Sequence, residues 1–280
     1  MSASSRFPLR PAAVALLAAV ATAPALHAQA RDDAADNRRF LAQCERDDGW
    51  GDDRNARACD VRELTIAAPG GTLRVDGGQN GGVQVRGWDG RDVRVIARMQ
   101  AWARSEQAAQ AALRGIEIRT GSTIRAEGSD DDERRWAVSF VVYVPRQSDL
   151  ALETNNGGIS VEDVEGDIAL DATNGGLHLT DLAGSVHGET RNGGVTVALS
   201  GPRWRGERLD VRTQNGGVHL QLPRDYNAEL EIGTVNGGVD IDFPITVQGR
   251  INRRITTRLG QGGPLVRVTT VNGGVKVERR

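Results

Sequence analysis

Seven Asn-Gly-Gly triplets punctuate the chain, at Asn80, Asn156, Asn174, Asn192, Asn215, Asn236 and Asn272. Three residues after each asparagine stands an aliphatic residue: Val83, Ile159, Leu177, Val195, Val218, Val239 or Val275. Two positions further on stands another: Val85, Val161, Leu179, Val197, Leu220, Ile241 or Val277. The residue between them is polar in every copy: Gln84, Ser160, His178, Thr196, His219, Asp240 and Lys276. Alternation with period two predicts a short strand after each triplet, with one face buried. Asn and Gly tolerate positive φ, so each triplet predicts a sharp turn.

From Asn156 onward the triplets are spaced by 18, 18, 23, 21 and 36 residues, and near-constant periods mark a repeat architecture. The first two full repeats align beyond the turn as well. Asp163, Val164, Gly166 and Ile168 match Asp181, Leu182, Gly184 and Val186, which predicts a second turn and a second strand over 168–172 and 186–190. Two strands and two turns per 18 residues make one coil of a β-solenoid. Equivalent strands then stack in parallel about 4.8 Å apart, with the asparagines in a ladder along one corner. No coil can bury its aliphatic pair alone, so its neighbours must do so. Gly201-Pro202-Arg203-Trp204 and Pro223-Arg224-Asp225-Tyr226 lengthen two coils at a corner. The 36-residue interval holds either two coils or one coil with a hairpin, because Gln261-Gly262-Gly263 is a degenerate copy of the turn.

Residues 61–144 are less regular. Strands are expected at 73–75, 83–85, 93–97, 116–119, 124–126 and 136–144. One short Ala-rich helix is expected after Ser105, a plausible N-cap. It would cover an otherwise open end of the stack. The acidic run at 130–133 reads as a solvated loop.

The N-terminus adds a compartment. Arg6 and Arg10 precede an apolar run over 12–26, and Ala28-Gln29-Ala30 supplies a small-x-small cleavage pattern. These features predict an export signal over residues 1–30, the alternative being an uncleaved anchor. No later segment is apolar enough to span a bilayer. Both cysteines, Cys44 and Cys59, fall in an N-terminal segment (31–60), and in an exported chain such a pair predicts one disulfide. The formal net charge of −2 is small and mixed in sign, so there is no basic footprint for nucleic acid.

Candidate chemistry is sparse. HExxH, GxSxG, GxxxxGK, CxxC and the calcium-binding GGxGxD repeat are all absent from the sequence. No cofactor or metal is expected. His178 and His219 share the outward position two coils apart, about 10 Å, too far to ligate one ion together. Glu162, Asp163, Asp171 and Asp181, or Asp240 with Asp242, could approach the 5–10 Å separation of glycosidase acid pairs, roughly the range such chemistry requires. Trp204 and Tyr226, with Arg203, Arg205 and Arg208, sit in the two enlarged coils. If those corners project, the aromatic rings would stack on sugars and the arginines would meet acidic groups.

The NGG-aliphatic-x-aliphatic repeats, the lead-in VPRQSDLALET before Asn156 and the export signal resemble the bacterial putative-adhesin family of unknown function, over about residues 60–280. That family is grouped with adhesin-head domains. The resemblance implies an all-β, parallel, right-handed β-solenoid at the cell envelope, regular from about residue 150. The expectation is an exported, non-enzymatic adhesin-like or scaffold protein that contacts an envelope glycan or a surface protein. The rivals are a polysaccharide-active lyase or hydrolase and an envelope-stress signalling component.

Overall fold

The computed structural model describes residues 23–46, 56–121, 123–129, 134–244 and 254–280. The chain divides into two compact units, Met1–Asp36 and Asn37–Arg280. All sites discussed below lie in the second. In chain order the elements are α1 (Ala23–Arg46), β1 (Ala56–Ala67), β2 (Leu73–Asp76), β3 (Val83–Trp88), β4 (Asp92–Ala103), α2 (Glu106–Arg114), β5 (Glu117–Arg119), β6 (Thr123–Glu127) and β7 (Arg134–Pro145). The repeats follow as β8 (Leu150–Thr154), β9 (Ile159–Glu162), β10 (Glu165–Ala172), β11 (Leu177–Thr180), β12 (Ala183–Asn192) and β13 (Val195–Ala198). The last are β14 (Arg208–Asn215), β15 (Val218–Leu222), β16 (Ala228–Asn236), β17 (Val239–Ile241), β18 (Arg254–Leu259), β19 (Leu265–Asn272) and β20 (Val275–Arg279).

These strands form two ten-stranded sheets, one carrying the strands after the triplets and the other the strands before them. Each triplet-bearing rung contributes one strand to each sheet and turns between them at Asn-Gly-Gly. Rungs β8/β9, β10/β11, β12/β13 and β14/β15 stack in parallel and in the expected register, Leu177 beside Ile159 and Val195 beside Leu177. The aliphatic pairs fill the space between the sheets, with Val195, Val197, Leu209 and Val211 essentially inaccessible to solvent. Alternation is the cause: Thr196, between Val195 and Val197, faces outward.

The sheets are mixed, which corrects the expectation of parallel strands alone. β1, β4 and β7 pair antiparallel, as do β5 with β6 and β16 with β18. The irregular stretch before residue 145 therefore contains a meander of long strands, of which β1 was not predicted. α2 forms where expected, and Ser105 caps it by accepting from the Ala108 amide at 3.2 Å. α1 was not predicted. Most of the proposed export signal lies outside the described residues; α1 begins at Ala23 and continues through Ala28-Gln29-Ala30. The acidic run at 130–133 also lies outside them. Cys44, in the last turn of α1, is disulfide-bonded to Cys59 on β1.

Chain order and stack order part company at both ends. β2/β3 lies between β6/β7 and β8/β9. At the other end β19/β20 inserts between β14/β15 and β16/β17. β18 lies on the far edge of β16, so the turn at Gln261-Gly262-Gly263 carries the chain past β16 from one side to the other. The 36-residue interval is thus neither two successive coils nor a simple hairpin. Charge marks the insertion: Arg267 on β19 pairs with Asp210 on β14 at 3.1 Å and with Glu231 on β16 at 2.9 Å. The Glu231 carboxylate, followed in effect by Asp210, holds the guanidinium more basic than usual.

Candidate functional site

The corner that turns between the sheets is the most regular surface of the molecule. Each asparagine side chain donates its amide to the carbonyl of the next: Asn156 to Asn80, Asn174 to Asn156, Asn192 to Asn174, Asn215 to Asn192, Asn272 to Asn215 and Asn236 to Asn272, over 2.7–3.2 Å. The ladder follows the stack, not the sequence.

The glycines are required for a reason other than the expected one. Within the triplets only Gly273 has a positive φ, at 156°. The first glycine instead lets adjacent corners touch. A Cβ on Gly175 would stand 1.9 Å from the Gly157 carbonyl oxygen, and one on Gly193 would stand 2.1 Å from that of Gly175. Left-handed backbone falls at the opposite corner, on Asp163 (φ 59°) and Asp181 (φ 52°).

A third column was not read from the sequence. Two residues before the asparagine, buried threonines donate their hydroxyls to the first glycine carbonyl of the neighbouring rung: Thr190 to Gly175, Thr213 to Gly193, Thr270 to Gly216 and Thr234 to Gly273, at 2.7–2.8 Å. Thr154 does the same to Gly81 at 2.5 Å. The recurring T-x-N-G-G was the available signal; Gly78 and Ala172 stand at that position in the two copies that lack the hydroxyl.

Beside this corner, on the outward face of the post-triplet sheet, an open groove of about 590 Å³ runs across the C-terminal rungs. Its floor is the second glycine of four triplets (Gly194, Gly217, Gly274 and Gly238), and Thr196, His219, Lys276 and Asp240 stand along it. Lys276 lies between His219 and Asp240, so Asp240 is two rungs from His219 and not one as chain order suggested. Glu278 ties the face together, meeting His219 Nε2 at 2.7 Å and the Lys276 ammonium. Lys276, and secondarily His219, hold the Glu278 carboxyl below the usual carboxylate range, and Glu278 in turn raises Lys276. His178 and His219 are two rungs apart, as expected. Among the described residues no three His, Cys, Asp or Glu side chains are placed to hold a metal ion.

The aromatic residues of the enlarged coils do not project. Trp204 is 2 % exposed and donates its indole N–H to the Gly184 carbonyl at 3.0 Å; Tyr226 is 3 % exposed, and burial pushes its phenol up. Both join the main core, because a short corner insertion can fold back where a ring fills the gap between rungs. Arg203 bridges to Asn227 through its backbone, and Arg205 reaches Glu165 at 3.6 Å. The candidate acids are similarly engaged: Glu162 with Arg86 at 3.7 Å, Asp163 with Arg146 at 3.5 Å, Asp181 with Arg280 at 3.3 Å, and Asp242 with the Arg279 amide at 3.3 Å. Asp171 is exposed on β10.

Residues 146–278 match the family model described as Toastrack DUF4097. Similar solved structures include a "putative cell adhesion protein" from Clostridium sporogenes, 12% identical, which covers 79% of this chain and 100% of its own with a TM-score of 0.43. A "putative adhesin" from Bacteroides fragilis is 11% identical, covering 80% of this chain and 97% of its own, with a TM-score of 0.38. A "putative lipid binding protein" from Parabacteroides distasonis is 10% identical, covering 79% and 96%, with a TM-score of 0.29. No curated protein matches the chain. No helix among the described residues is long and apolar enough to cross a membrane.

Proposed function

We propose that this chain is an exported, non-enzymatic adhesin-like or scaffold protein of the bacterial envelope, which contacts a surface glycan or protein through the groove beside the Asn ladder. The groove itself carries the reading: a glycine floor lets a partner approach the backbone closely, and polar side chains recur along it at rung spacing. A Cys44–Cys59 disulfide favours an oxidising compartment. The interlocked Asn, Thr and Gly columns make the face rigid, so little ordering entropy is lost on binding.

Attachment of purified protein to envelope preparations, followed by a reducing-end release assay on any glycan retained, tests this. Wild type should attach without releasing reducing ends, and Thr196→Arg, which fills the groove while keeping an outward polar side chain, should attach at least tenfold more weakly. Release of reducing ends, or undiminished attachment of the variant, would overturn it.

A further inference from the structure

At the opposite end of the same ladder, where Asn80 and Asn156 form its first two rungs, lies a second cavity of about 580 Å³. Period-two alternation builds its floor. Arg98, Gln100 and Trp102 are alternate residues of β4, and Arg135, Ala137 and Ser139 are alternate residues of β7. Antiparallel pairing sets Trp102 beside Arg135 and Arg98 beside Ser139, while Arg57 on β1 lies opposite Trp102. All these side chains share the face of the sheet that points away from the main core. Phe40 and Gln43 of α1 complete the wall, with Cys44 of the disulfide beside them.

We propose that this cavity binds an acidic saccharide, a uronate-bearing oligosaccharide segment. It goes beyond the adhesin-like reading by naming a ligand class for a surface separate from the groove. Charge is the first reason. Among the described residues three arginines and no carboxylate line the cavity, in a chain whose net charge is slightly negative, so the described lining is locally positive. Arg98 is oriented through its Nε, which donates to Asn37 Oδ1 at 3.0 Å. The guanidinium of Arg57 sits 5.8 Å from the centre of the Trp102 ring. Guanidinium groups so held suit a planar carboxylate.

Shape and polarity narrow the ligand further. Phe40 and Trp102 offer flat apolar surface for the C–H face of a pyranose. Gln43, Gln100, Asn80 and Asn156 each carry both a donor and an acceptor, as sugar hydroxyls require. The indole N–H of Trp102 is buried without a hydrogen-bond partner among the described residues. Folded chains seldom leave such donors unpaired, and a ligand rich in oxygen is what would supply the acceptors. Inorganic phosphate would use the arginines but not the rings. The volume falls in the range of sites for small organic ligands, roughly 300–1,000 Å³.

The test titrates trigalacturonate, a neutral galactose trisaccharide and phosphatidylglycerol vesicles against the full chain, read by tryptophan fluorescence and calorimetry. Trigalacturonate should bind, in a salt-sensitive manner, at least tenfold more tightly than the neutral sugar. Arg57→Gln with Arg135→Gln should weaken it at least tenfold with an unchanged melting temperature; Arg135 is exposed, so its loss opens no cavity. Trp102→Phe keeps an apolar ring and guards against a variant that fails to fold; it should bind more weakly than wild type. Equal binding by the arginine double variant, no preference over the neutral sugar, or binding to vesicles alone would overturn the proposal. Wild-type protein that attaches to envelopes but ignores trigalacturonate overturns this inference and leaves the proposed function standing. Binding of trigalacturonate without envelope attachment does the reverse.

Discussion

The Asn236 side chain donates to Asn272 at 2.8 Å, although 36 residues separate them and Asn215 is nearer in sequence. Asn272 in turn donates to Asn215 at 2.7 Å, so it stands between the other two. Cysteine pairs report this order directly. Parallel neighbours are about 4.8 Å apart and rungs two apart about 10 Å, while a disulfide needs Cα atoms roughly 4.4–6.8 Å apart. In a background with Cys44 and Cys59 intact, His219→Cys with Lys276→Cys should therefore cross-link on oxidation. His219→Cys with Asp240→Cys should not. The reverse result, read by mass spectrometry after proteolysis, would restore stacking in chain order.

The two glycines of one triplet should respond oppositely to alanine. A Cβ on Gly193 would meet the Gly175 carbonyl oxygen at 2.1 Å, whereas a Cβ on Gly194 would lie 3.5 Å from the nearest atom, the Gly217 carbonyl oxygen. Gly193→Ala is expected to cost several kcal/mol or to prevent folding. Gly194→Ala, at an ordinary φ, should be neutral or stabilising by about 0.5 kcal/mol through the unfolded chain. Comparable denaturation midpoints would refute the backbone-contact account.

Thr213→Val should cost about 1 kcal/mol, the net worth of a buried hydrogen bond. Ala172→Thr is the converse. It lies in register with Thr154 and Thr190 and should donate to the Gly157 carbonyl, raising stability by about 0.5–1 kcal/mol. A fall in melting temperature for Ala172→Thr would show that this rung has no room for the missing methyl and hydroxyl.

Acid should act on the groove through Glu278. Its folded pKa lies below the ordinary 4.5, owing first to Lys276 and then to His219. A depressed carboxylate contributes stability that is present above its unfolded value and is lost as pH falls through the folded one. Wild type should therefore lose melting temperature below about pH 4.3 faster than Glu278→Gln. Parallel pH profiles for the two proteins would remove Glu278 from the account.

Reducing the Cys44–Cys59 bond should cost up to about 3 kcal/mol, the loop-entropy value for a closure of this length. It should also weaken trigalacturonate binding, because Phe40 and Gln43 precede Cys44 on the wall of the cavity. Unchanged affinity after reduction, with the fold intact, would separate the disulfide from the site.

What was legible in the sequence was whatever a single rung expresses. The aliphatic pair at Val195 and Val197, the outward Thr196 and the Asn ladder follow from local alternation and a repeated turn, and all are present. Neighbour identity is not local. The pattern around Asn272 is the same whether it stacks on Asn236 or between Asn236 and Asn215, so the inserted rung was invisible. Trp204 and Tyr226 were misplaced because composition marks a loop and its aromatic rings without saying whether they fold inward. The arginine-lined cavity draws on α1, β1, β4, β7 and two triplets, residues 40–156, which only the antiparallel meander brings together.

The exchange of rungs also bears on assembly order. Because every rung offers the same asparagine, glycine pair and aliphatic pair, β16 could close directly onto β14 while residues 265–279 are still emerging from a ribosome or a translocation pore. The registers permit it, since Leu265 aligns with both Arg208 and Glu229. That premature closure would bring Asp210 and Glu231, which now share Arg267, against each other without a cation between them. Like charges directly opposite one another in a sheet repel. The like-charge pair thus weakens the premature register, whereas β19 in place supplies Arg267 to both carboxylates.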